Sequence, residues 1–342
     1  LEAQVSPQFT EIEDRAAELL RAEIIDQMAE GPDSALIEEI ARHYTGEDFS
    51  KLTSAVVQNR EVLATTLDWP TTLDLFDQPR DLSAHAIYGR VFLGGEEALL
   101  NKIIPAMLAK GGNDAKAALK LQQLGSLSVQ SLPDLEDVFL TGPKTKSPFS
   151  AKIGTLPTKP TQNVLSDHMP SLDAFMLRVE DARQARLALT AARKTHALHQ
   201  FAARFLPLYA EQKMLRGWLD FDDLIFKARA LLTDSAVAAW VLFRIDGGID
   251  HILVDEAQDT SPAQWDVIRK LAAEFSSGAG AREGMERTLF VVGDKKQSIY
   301  SFQGADPHEF DRMQLEFKDK LEAANHLFQS LTLAYSFRSS AA

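Results

Sequence analysis

The sequence predicts an α/β protein in which a mostly helical part precedes a part with a parallel sheet. Over roughly the first two-thirds of the 342 residues, apolar side chains recur at helical spacing with acidic residues on the opposite face. After Pro207, β-branched runs alternate with helical stretches, which is typical of parallel strands joined by right-handed crossovers. We therefore expect a helical part over residues 1–212 and a sheet part over residues 213–342.

Composition is that of a globular protein and excludes several kinds of site. Hydrophobic residues make up 45% and charged residues 25% of the chain, and the absence of cysteine excludes disulfides and thiolate metal sites. No apolar run approaches the roughly 20 residues of a membrane span, and the N-terminus does not resemble a signal peptide. We expect a cytoplasmic protein. The net charge of -13 argues against coating DNA by bulk electrostatics but permits a local basic groove.

The helical part contains amphipathic helices and one basic loop. Helical spacing is clear in "SPQFTEIEDRAAELLRAEIIDQMAE", "KLTSAVVQNREVLATTL" and "GGEEALLNKIIPAMLAK". Residues 139–166 are rich in Thr, Pro, Gly and Ser, which predicts a long loop or a pair of short strands. This basic loop has no acidic residue and carries Lys144, Lys146, Lys152 and Lys159. The lysines are either solvated charges or contacts for DNA phosphates, and the sequence leaves both readings open.

A long helix is predicted after the basic loop. Residues 171–206 keep helical spacing throughout, and at about 1.5 Å per residue they would form a helix roughly 50 Å long. A helix of that length more often bridges two subdomains than packs inside one. Pro207 is expected to kink or end it, because proline lacks the amide hydrogen that the helix requires.

The sheet part contains three predicted strands, "HILVD", "RTLFVVGD" and "SLTLAY". Asp222 and Asp223 begin a helix ahead of the first strand, where the helix dipole favours carboxylates. Ligands of parallel sheets bind at the carboxyl ends of the strands. Asp255 and Asp294 both stand at such ends, so we expect the site there.

The segment "ILVDEAQDTSPAQ" carries the clearest chemical signal, because Asp255 and Glu256 directly follow an apolar run. One carboxylate at a strand end suffices for Mg2+ on a nucleotide, since that ion keeps several waters. A neighbouring glutamate can orient and deprotonate an attacking water. The alternative is a buried strand that ends in a solvated turn. Asp259 is expected to cap the following helix or to hold the loop.

Three segments resemble successive motifs of one enzyme family. "DEAQDTSPAQW", "VVGDKKQSIYSFQGAD" and "LTLAYSFRSS" are similar, in order and spacing, to the Walker B, third and fourth motifs of the superfamily-one DNA helicases of the UvrD, Rep and PcrA type. "WLDFDDLI" resembles the segment by which that family re-enters its motor domain. The resemblance implies that residues 1–212 form the helical subdomain called 1B. Residues 213–342 would then form the C-terminal half of a RecA-like P-loop NTPase motor domain, called 1A.

Within that family, the sequence of these motifs is most similar to that of the AddA branch. AddA proteins are the helicase-nuclease subunits of AddAB complexes and are related to RecB. The resemblance implies an ATP-dependent DNA helicase that acts in recombinational repair of double-strand breaks, with an exonuclease elsewhere in the protein. It also implies ATP and Mg2+ as cofactors, single-stranded DNA and duplex ends as ligands, and an AddB-type partner. The alternatives are a simple UvrD-like or PcrA-like repair helicase, and a non-enzymatic module that binds a partner through a degenerate motor half.

The resemblance assigns roles to residues around the nucleotide. Asp255 is expected to hold Mg2+, Glu256 to activate water and Gln297 to sense the γ-phosphate. Arg338 is expected to stabilise charge on that phosphate, for which guanidinium geometry is well suited. Phe337 is expected to stack on adenine, where the family usually has a tyrosine.

The resemblance also assigns residues to DNA. Tyr300 and Phe302 stand where the family stacks single-stranded bases. Phe302 replaces the tryptophan of simpler members, which preserves stacking, and Gln303 replaces an arginine, which changes a polar contact. The lysines of the basic loop complete the expected DNA-binding residues.

One motif of the family is absent from the sequence. No G-x-x-x-x-G-K-[ST] segment occurs, so no such loop cradles the β- and γ-phosphates. The sequence begins without methionine and ends shortly after Arg338. We therefore expect an internal part of a larger protein that neither binds ATP tightly nor hydrolyses it on its own.

Overall fold

The chain divides into two compact units. The computed structural model describes residues 5, 8–44, 46, 49–233, 240–241, 249–273, 287–297, 307–324 and 326–332. The helical unit comprises residues 27–47 and 60–205, and the sheet unit comprises residues 1–26, 48–59 and 206–342. This division differs from the single boundary expected at residues 212/213, because two N-terminal segments belong with the C-terminal residues.

The described elements are mostly helices. In chain order they are β1 (Thr10–Glu11), α1 (Asp14–Glu30), α2 (Ser34–His43), α3 (Ser50–Gln58), α4 (Arg60–Leu63), α5 (Trp69–Asp74), α6 (Ala84–Val91), α7 (Glu96–Lys110), α8 (Gly112–Gln122), α9 (Leu132–Phe139), α10 (Lys159–Val164), α11 (Met169–Arg216), β2 (Trp218–Leu219), α12 (Phe221–Leu231), β3 (His251–Val254), α13 (Pro262–Ala273), β4 (Thr288–Val291) and α14 (Pro307–Ala323). Among the described residues, no helix combines the length and the apolar character that crossing a bilayer requires.

The helical unit has an apolar core bordered by ion pairs. Phe139 and Phe175 are fully buried, with ring centroids 5.3 Å apart in an edge-on arrangement, which suits the ring quadrupoles. Arg186 donates to both carboxylate oxygens of Glu136, at 2.5 and 2.8 Å. Such bidentate pairs fix geometry as well as adding energy, so this pair sets how α9 lies against α11.

The basic loop is held against the long helix α11. Leu140 and Ala151 form an antiparallel bridge, and the Ala151 amide donates to a carboxylate oxygen of Glu180 at 2.8 Å. The guanidinium carbon of Arg183 lies 3.6 Å from the ring centroid of Phe149. The expected long loop or strand pair is therefore a short bridge followed by a turn, anchored by side chains of α11.

A buried aspartate holds the start of α10, a helix that was not predicted within the basic loop. Asp114 accepts from the Thr158 amide at 2.9 Å, the Thr158 hydroxyl at 2.7 Å and the Thr161 hydroxyl at 2.6 Å. Burial raises the pKa of Asp114, but the hydrogen bonds from Thr161 and Thr158 outweigh burial, and the pKa lies below its usual value. These contacts hold α10 in a segment whose composition predicts a loop or short strands.

The helix α11 is longer than predicted, because it continues through Pro207 to a length of 48 residues. A proline inside a helix costs about 3 kcal/mol. Phe205 and Tyr209 on either side of it are buried, and burial of each large side chain stabilises by about 1.5–3 kcal/mol. The expectation that Pro207 ends the helix is therefore wrong.

The sheet unit contains two parallel strand pairs. The strands β3 and β4 pair in parallel from His251 opposite Thr288 to Val254 opposite Val291, as predicted. A small core of Val254, Ala257, Trp265 and Met313 covers one face of this strand pair. The strands β1 and β2 pair at Thr10 and Trp218, which explains why the first residues belong to this unit.

Two further predictions for the sheet unit concern the start of α12 and the third strand. Asp220 caps α12 by accepting from the Asp223 amide at 2.8 Å, and Asp222 and Asp223 lie in the first turn, which confirms them as acids at a helix N-terminus. The predicted third strand, residues 330–335, lies partly outside the described residues. Its described residues, 330–332, have no strand assignment.

Candidate active site

The candidate active site lies at the carboxyl ends of β3 and β4. The Val292 amide donates to the Val254 carbonyl at 2.8 Å, and the Ala257 amide donates to the Val292 carbonyl at 2.9 Å. These bonds continue the ladder beyond the paired strands. They bring the segment after β3, which carries Asp255 and Glu256, beside the segment after β4, which carries Asp294.

Glu256 has a left-handed backbone with φ 48° and ψ 43°. A residue with a side chain seldom adopts this conformation, and it costs on the order of 1–3 kcal/mol. The Glu256 amide donates to a carboxylate oxygen of Asp255 at 2.9 Å, which helps to hold the reversal. The chain then enters a 3-10 turn over Ala257–Asp259. Backbone strain of this kind concentrates at functional sites, and both carboxylates here are exposed.

Gln258 links the segment after β3 to the segment after β4. Its side chain is fully buried. The amide nitrogen donates to Glu256 at 2.8 Å and lies 3.3 Å from a carboxylate oxygen of Asp259. The amide oxygen accepts from the backbone N–H of Asp294 at 2.8 Å. One side chain therefore connects the carboxylate of Glu256 to the loop after β4.

Gly293 allows the two segments to approach this closely. A Cβ atom at this position would lie 2.8 Å from the amide oxygen of Gln258 and 3.2 Å from the amide nitrogen of Ala257. Contacts under 3.0 Å force atoms to move, so a side chain here would displace the segment after β4 or break the bonds made by Gln258. The requirement for glycine is one of space.

Gln297 folds back onto Asp294 in the turn after β4. The Gln297 side-chain amide donates to one carboxylate oxygen of Asp294 at 3.0 Å, and the Lys296 amide donates to the other at 3.0 Å. These hydrogen bonds, the one from Gln297 first, lower the pKa of Asp294. Asp294 is therefore ionised at neutral pH and orders the turn that carries Gln297.

Three of the predicted nucleotide-site residues, Asp255, Glu256 and Gln297, follow the ends of the neighbouring strands β3 and β4. Asp259 accepts from the side-chain amide of Gln258 at 3.3 Å. The following helix is capped by Ser261 and Gln264: the Ser261 hydroxyl accepts from the backbone N–H of Gln264 at 3.3 Å, and the Gln264 side-chain oxygen accepts from the backbone N–H of Ser261 at 2.7 Å. Four predicted site residues lie outside the described residues: Tyr300, Phe302, Phe337 and Arg338.

Sequence reasoning missed Gln258. The only signal was a glutamine set between acids in "DEAQD", in a turn where polar residues are normally solvated. Its burial and its bond to Asp294 follow from the pairing of β3 with β4, which no local pattern shows.

The carboxylates at this edge fit Mg2+ bound together with a nucleotide. The described residues contain no group of three or more metal-ligating side chains that could hold an ion by themselves. Mg2+ usually keeps several waters and takes one or two carboxylates plus substrate phosphates. Asp255 is exposed, and a carboxylate is the hard oxygen donor that this ion prefers, so a single protein ligand here is sufficient.

The basic-loop lysines differ in exposure. Lys144, Lys146 and Lys159 are exposed. Lys152 is half-buried, and its ammonium donates to the Val138 carbonyl at 2.7 Å. Burial lowers the pKa of Lys152, partly offset by Asp137 nearby. Lys152 therefore differs from the other three lysines of the basic loop, because its ammonium is engaged with the end of α9.

Together, the helical unit and the acidic edge of the parallel strands define a helical subdomain joined to part of a RecA-like motor domain. The chain belongs to the UvrD/REP helicase family, whose N-terminal domain matches residues 14–318. This match confirms the predicted fold class and the predicted superfamily.

Curated relatives include proteins of two kinds. An ATP-dependent helicase/nuclease subunit from Pediococcus pentosaceus is 34% identical over 142 residues, which are 41% of this chain and 10% of that protein. The protein of the same name from Latilactobacillus sakei is 31% identical over 170 residues, 49% of this chain and 17% of the relative. The ATP-dependent DNA helicase Rep of Buchnera aphidicola is 31% identical over 137 residues, 40% of this chain and 17% of Rep. The chain thus spans only 10% to 17% of the length of these relatives.

Proposed function

We propose that this chain is part of an ATP-dependent DNA helicase and supplies half of its ATP-hydrolysing site. The observation that carries the proposal is the pair Asp255 and Glu256 after β3, joined through hydrogen bonds to the loop after β4 that bears Gln297. Family membership supports the same conclusion. Exposed side chains on the strands support a larger motor domain, since parallel sheets are normally covered on both faces, whereas Leu253 and Phe290 are 70% and 57% exposed.

In this proposal each acidic residue has one task. Asp255 holds Mg2+, which when bound with ATP neutralises charge on the phosphates. Glu256 accepts a proton from the attacking water, so that the water oxygen can bond to the γ-phosphorus while the bond to the β,γ-bridging oxygen breaks. Gln297 senses the γ-phosphate, Arg338 stabilises its developing charge and Phe337 stacks on adenine. The bond from Gln297 to Asp294 sets the starting position of that sensor.

We propose that DNA contacts come from two places. Tyr300 and Phe302 stack on single-stranded bases, and the exposed lysines Lys144, Lys146 and Lys159 of the basic loop meet duplex phosphates. Lys152 is a weaker candidate than these three, because its ammonium is already bonded to the Val138 carbonyl.

We further propose that the complete protein is a helicase-nuclease of the AddA type, in the cytoplasm, acting with an AddB-type partner on double-strand breaks. The relatives named as helicase/nuclease subunits support this choice. A simple repair helicase is the second candidate, which the Rep relative favours. Nuclease activity that copurifies with a second polypeptide distinguishes the first candidate from the second.

The experiment that tests the proposal is strand separation by the full-length protein. A forked DNA duplex should be unwound with ATP and Mg2+ and left intact without either. Asp255→Asn should abolish unwinding and weaken Mg2+-dependent nucleotide binding, because the metal ligand itself is weakened. Residues 1–342 alone should not hydrolyse ATP. Unwinding by Asp255→Asn at the wild-type rate would contradict the proposal.

A further inference from the structure

We propose that Gln258 is a positioning residue, which holds the carboxylate of Glu256 and the loop after β4 in one fixed arrangement. The inference rests on the proposed function, because it concerns hydrolysis of ATP at Glu256. It adds a residue that touches neither nucleotide nor metal and acts through Glu256 on one side and Asp294 on the other.

The hydrogen-bonding partners fix the orientation of the Gln258 amide. The backbone N–H of Asp294 can only donate, so the group 2.8 Å from it must be the amide oxygen. The carboxylates of Glu256 and Asp259 can only accept when ionised, so the group 2.8 and 3.3 Å from them must be the amide nitrogen. If the amide were flipped, its oxygen would face the carboxylates of Glu256 and Asp259, and its nitrogen would face the N–H of Asp294. The side chain is therefore a polarised link with one permitted orientation.

Burial makes this link rigid. Gln258 is fully buried, and Ala257 before it is equally inaccessible. A buried amide that loses a partner pays the full cost of desolvation, so alternative rotamers are disfavoured. Glu256, by contrast, is exposed, and a long exposed side chain has several rotamers of similar energy. The bond from Gln258 selects among those rotamers.

The link also joins two segments that respond to different parts of the substrate. Glu256 faces the attacking water in the proposed mechanism, and Asp294 orders the turn that carries Gln297. A displacement of the loop after β4 therefore moves Gln258, and Gln258 moves the proton acceptor. Because catalysis depends on geometry at the level of about 1 Å, this connection lets the state of the loop set the rate of hydrolysis.

Gln258→Glu separates the two halves of the link in the full-length protein. The new carboxylate keeps an oxygen that accepts from Asp294 but replaces the donor to Glu256 with a second acceptor. We expect kcat for ATP hydrolysis to fall by about 10–100-fold, as for a misplaced catalytic group, with KM for ATP within about threefold of wild type, since uniform binding is untouched. Gln258→Met, which removes the bonds to Glu256, Asp259 and Asp294, should lower kcat at least as far.

The pH dependence gives a second readout that a purely structural role would not move. Like charges disfavour ionisation, so lowering the pH protonates the new carboxyl of Gln258→Glu and restores a donor towards Glu256. The ratio of wild-type to Gln258→Glu kcat should therefore narrow between about pH 8 and about pH 6. The same ratio for Gln258→Met should stay constant.

Gln264→Met is the matched control. Gln264 also bonds a backbone amide through its side-chain oxygen, that of Ser261 at 2.7 Å, but it contacts neither carboxylate of the site. It should lower the unfolding temperature and leave kcat unchanged.

Two results would overturn the inference. One is a kcat for Gln258→Glu within about twofold of wild type, less than any positioning effect. The other is a fall in kcat that only matches a fall in the folded fraction of Gln258→Glu. If Glu256→Gln itself retains turnover, the proposed function fails; if Glu256→Gln is inactive while Gln258→Glu is normal, only the role of Gln258 fails.

Discussion

Gln258 and Gly293 hold the candidate active site together without contributing a reactive group. Gln258 needs an amide because its partners are a donor on one side and acceptors on the other. Gly293 needs the absence of a side chain because the amide oxygen of Gln258 would lie 2.8 Å from a Cβ. These two requirements come from the same close approach between the segments after β3 and β4.

Gly293→Ala should therefore lower ATP turnover by the full-length protein by about tenfold or more, because either the segment after β4 shifts or Gln258 loses its bonds. Nucleotide-dependent turnover and thermal unfolding, measured on the same preparation, check this. Gly89→Ala is the control, since a Cβ there meets no atom within 4 Å and alanine in a helix should add about 0.5–1 kcal/mol of stability. Equal turnover for the two variants would show that the close approach is unimportant.

At the level of single residues, the sequence indicates candidate residues but not their surroundings. Asp255 and Glu256 could be singled out, because they follow an apolar run in a segment that resembles a motif of the helicase family. The backbone conformation of Glu256 and the burial of Gln258 could not, because both depend on the pairing of β3 with β4. The contact of Lys152 with the Val138 carbonyl could not be predicted either, because no local pattern along the chain indicates it.

At the level of elements, periodic helices were predictable and non-local order was not. The parallel pair β3–β4 follows from alternating strands and helices, and it was foreseen. The continuation of α11 through Pro207 was not, because local propensity is outweighed by burial of Phe205 and Tyr209. The pairing of Thr10 with Trp218 joins opposite parts of the chain, and no pattern within either segment indicates it.

Asp114→Ala should destabilise the start of α10 by about 1–3 kcal/mol at pH 7, because the hydroxyl of buried Thr161 and the amide of Thr158 lose their acceptor. The measurement is the free energy of unfolding in urea. Asp181→Ala, which removes an exposed acid of α11, is the control and should change it by less than about 0.5 kcal/mol.

The pH dependence follows from the lowered pKa of Asp114. A carboxyl with a lowered pKa in the folded state contributes stability above its unfolded pKa of about 3.9, and that contribution is lost as the pH falls through the lowered value. The difference between wild type and Asp114→Ala should therefore be constant from about pH 5 to about pH 8 and shrink in stronger acid. A difference that grows on acidification would contradict the role of the ionised carboxylate.

At the level of the whole molecule, an acidic chain carries three exposed lysines within one segment that has no acidic residue. The net charge is -13, yet Lys144, Lys146 and Lys159 are exposed on a loop without acidic residues. Each neutralised phosphate of B-DNA contributes about 0.9 to the salt slope of binding. The salt slope therefore depends on how many lysines and arginines contact phosphates, and not on the net charge of the protein.

Changing Lys144, Lys146 and Lys159 together to alanine should weaken duplex binding by the full-length protein similarly for all sequences. It should also reduce the salt slope by up to about 3, since each lysine that no longer neutralises a phosphate removes about one unit. The control removes the same charge elsewhere in the helical unit, at the exposed residues Lys102, Lys110 and Lys116. If both triple variants give the same slope, the basic loop does not bind DNA.

The most direct test of the proposed hydrolytic site is Glu256→Gln in the full-length protein, with nucleotide affinity and steady-state turnover measured side by side. Glutamine keeps the size and one oxygen of the side chain but cannot take a proton from water. General-base catalysis typically supplies about 10²–10⁴-fold, so turnover should fall by that factor while ATP and DNA affinities stay at wild-type values. Turnover near the wild-type rate would show that Glu256 is not the general base, and that "ILVDEAQD" forms only a strand and its turn.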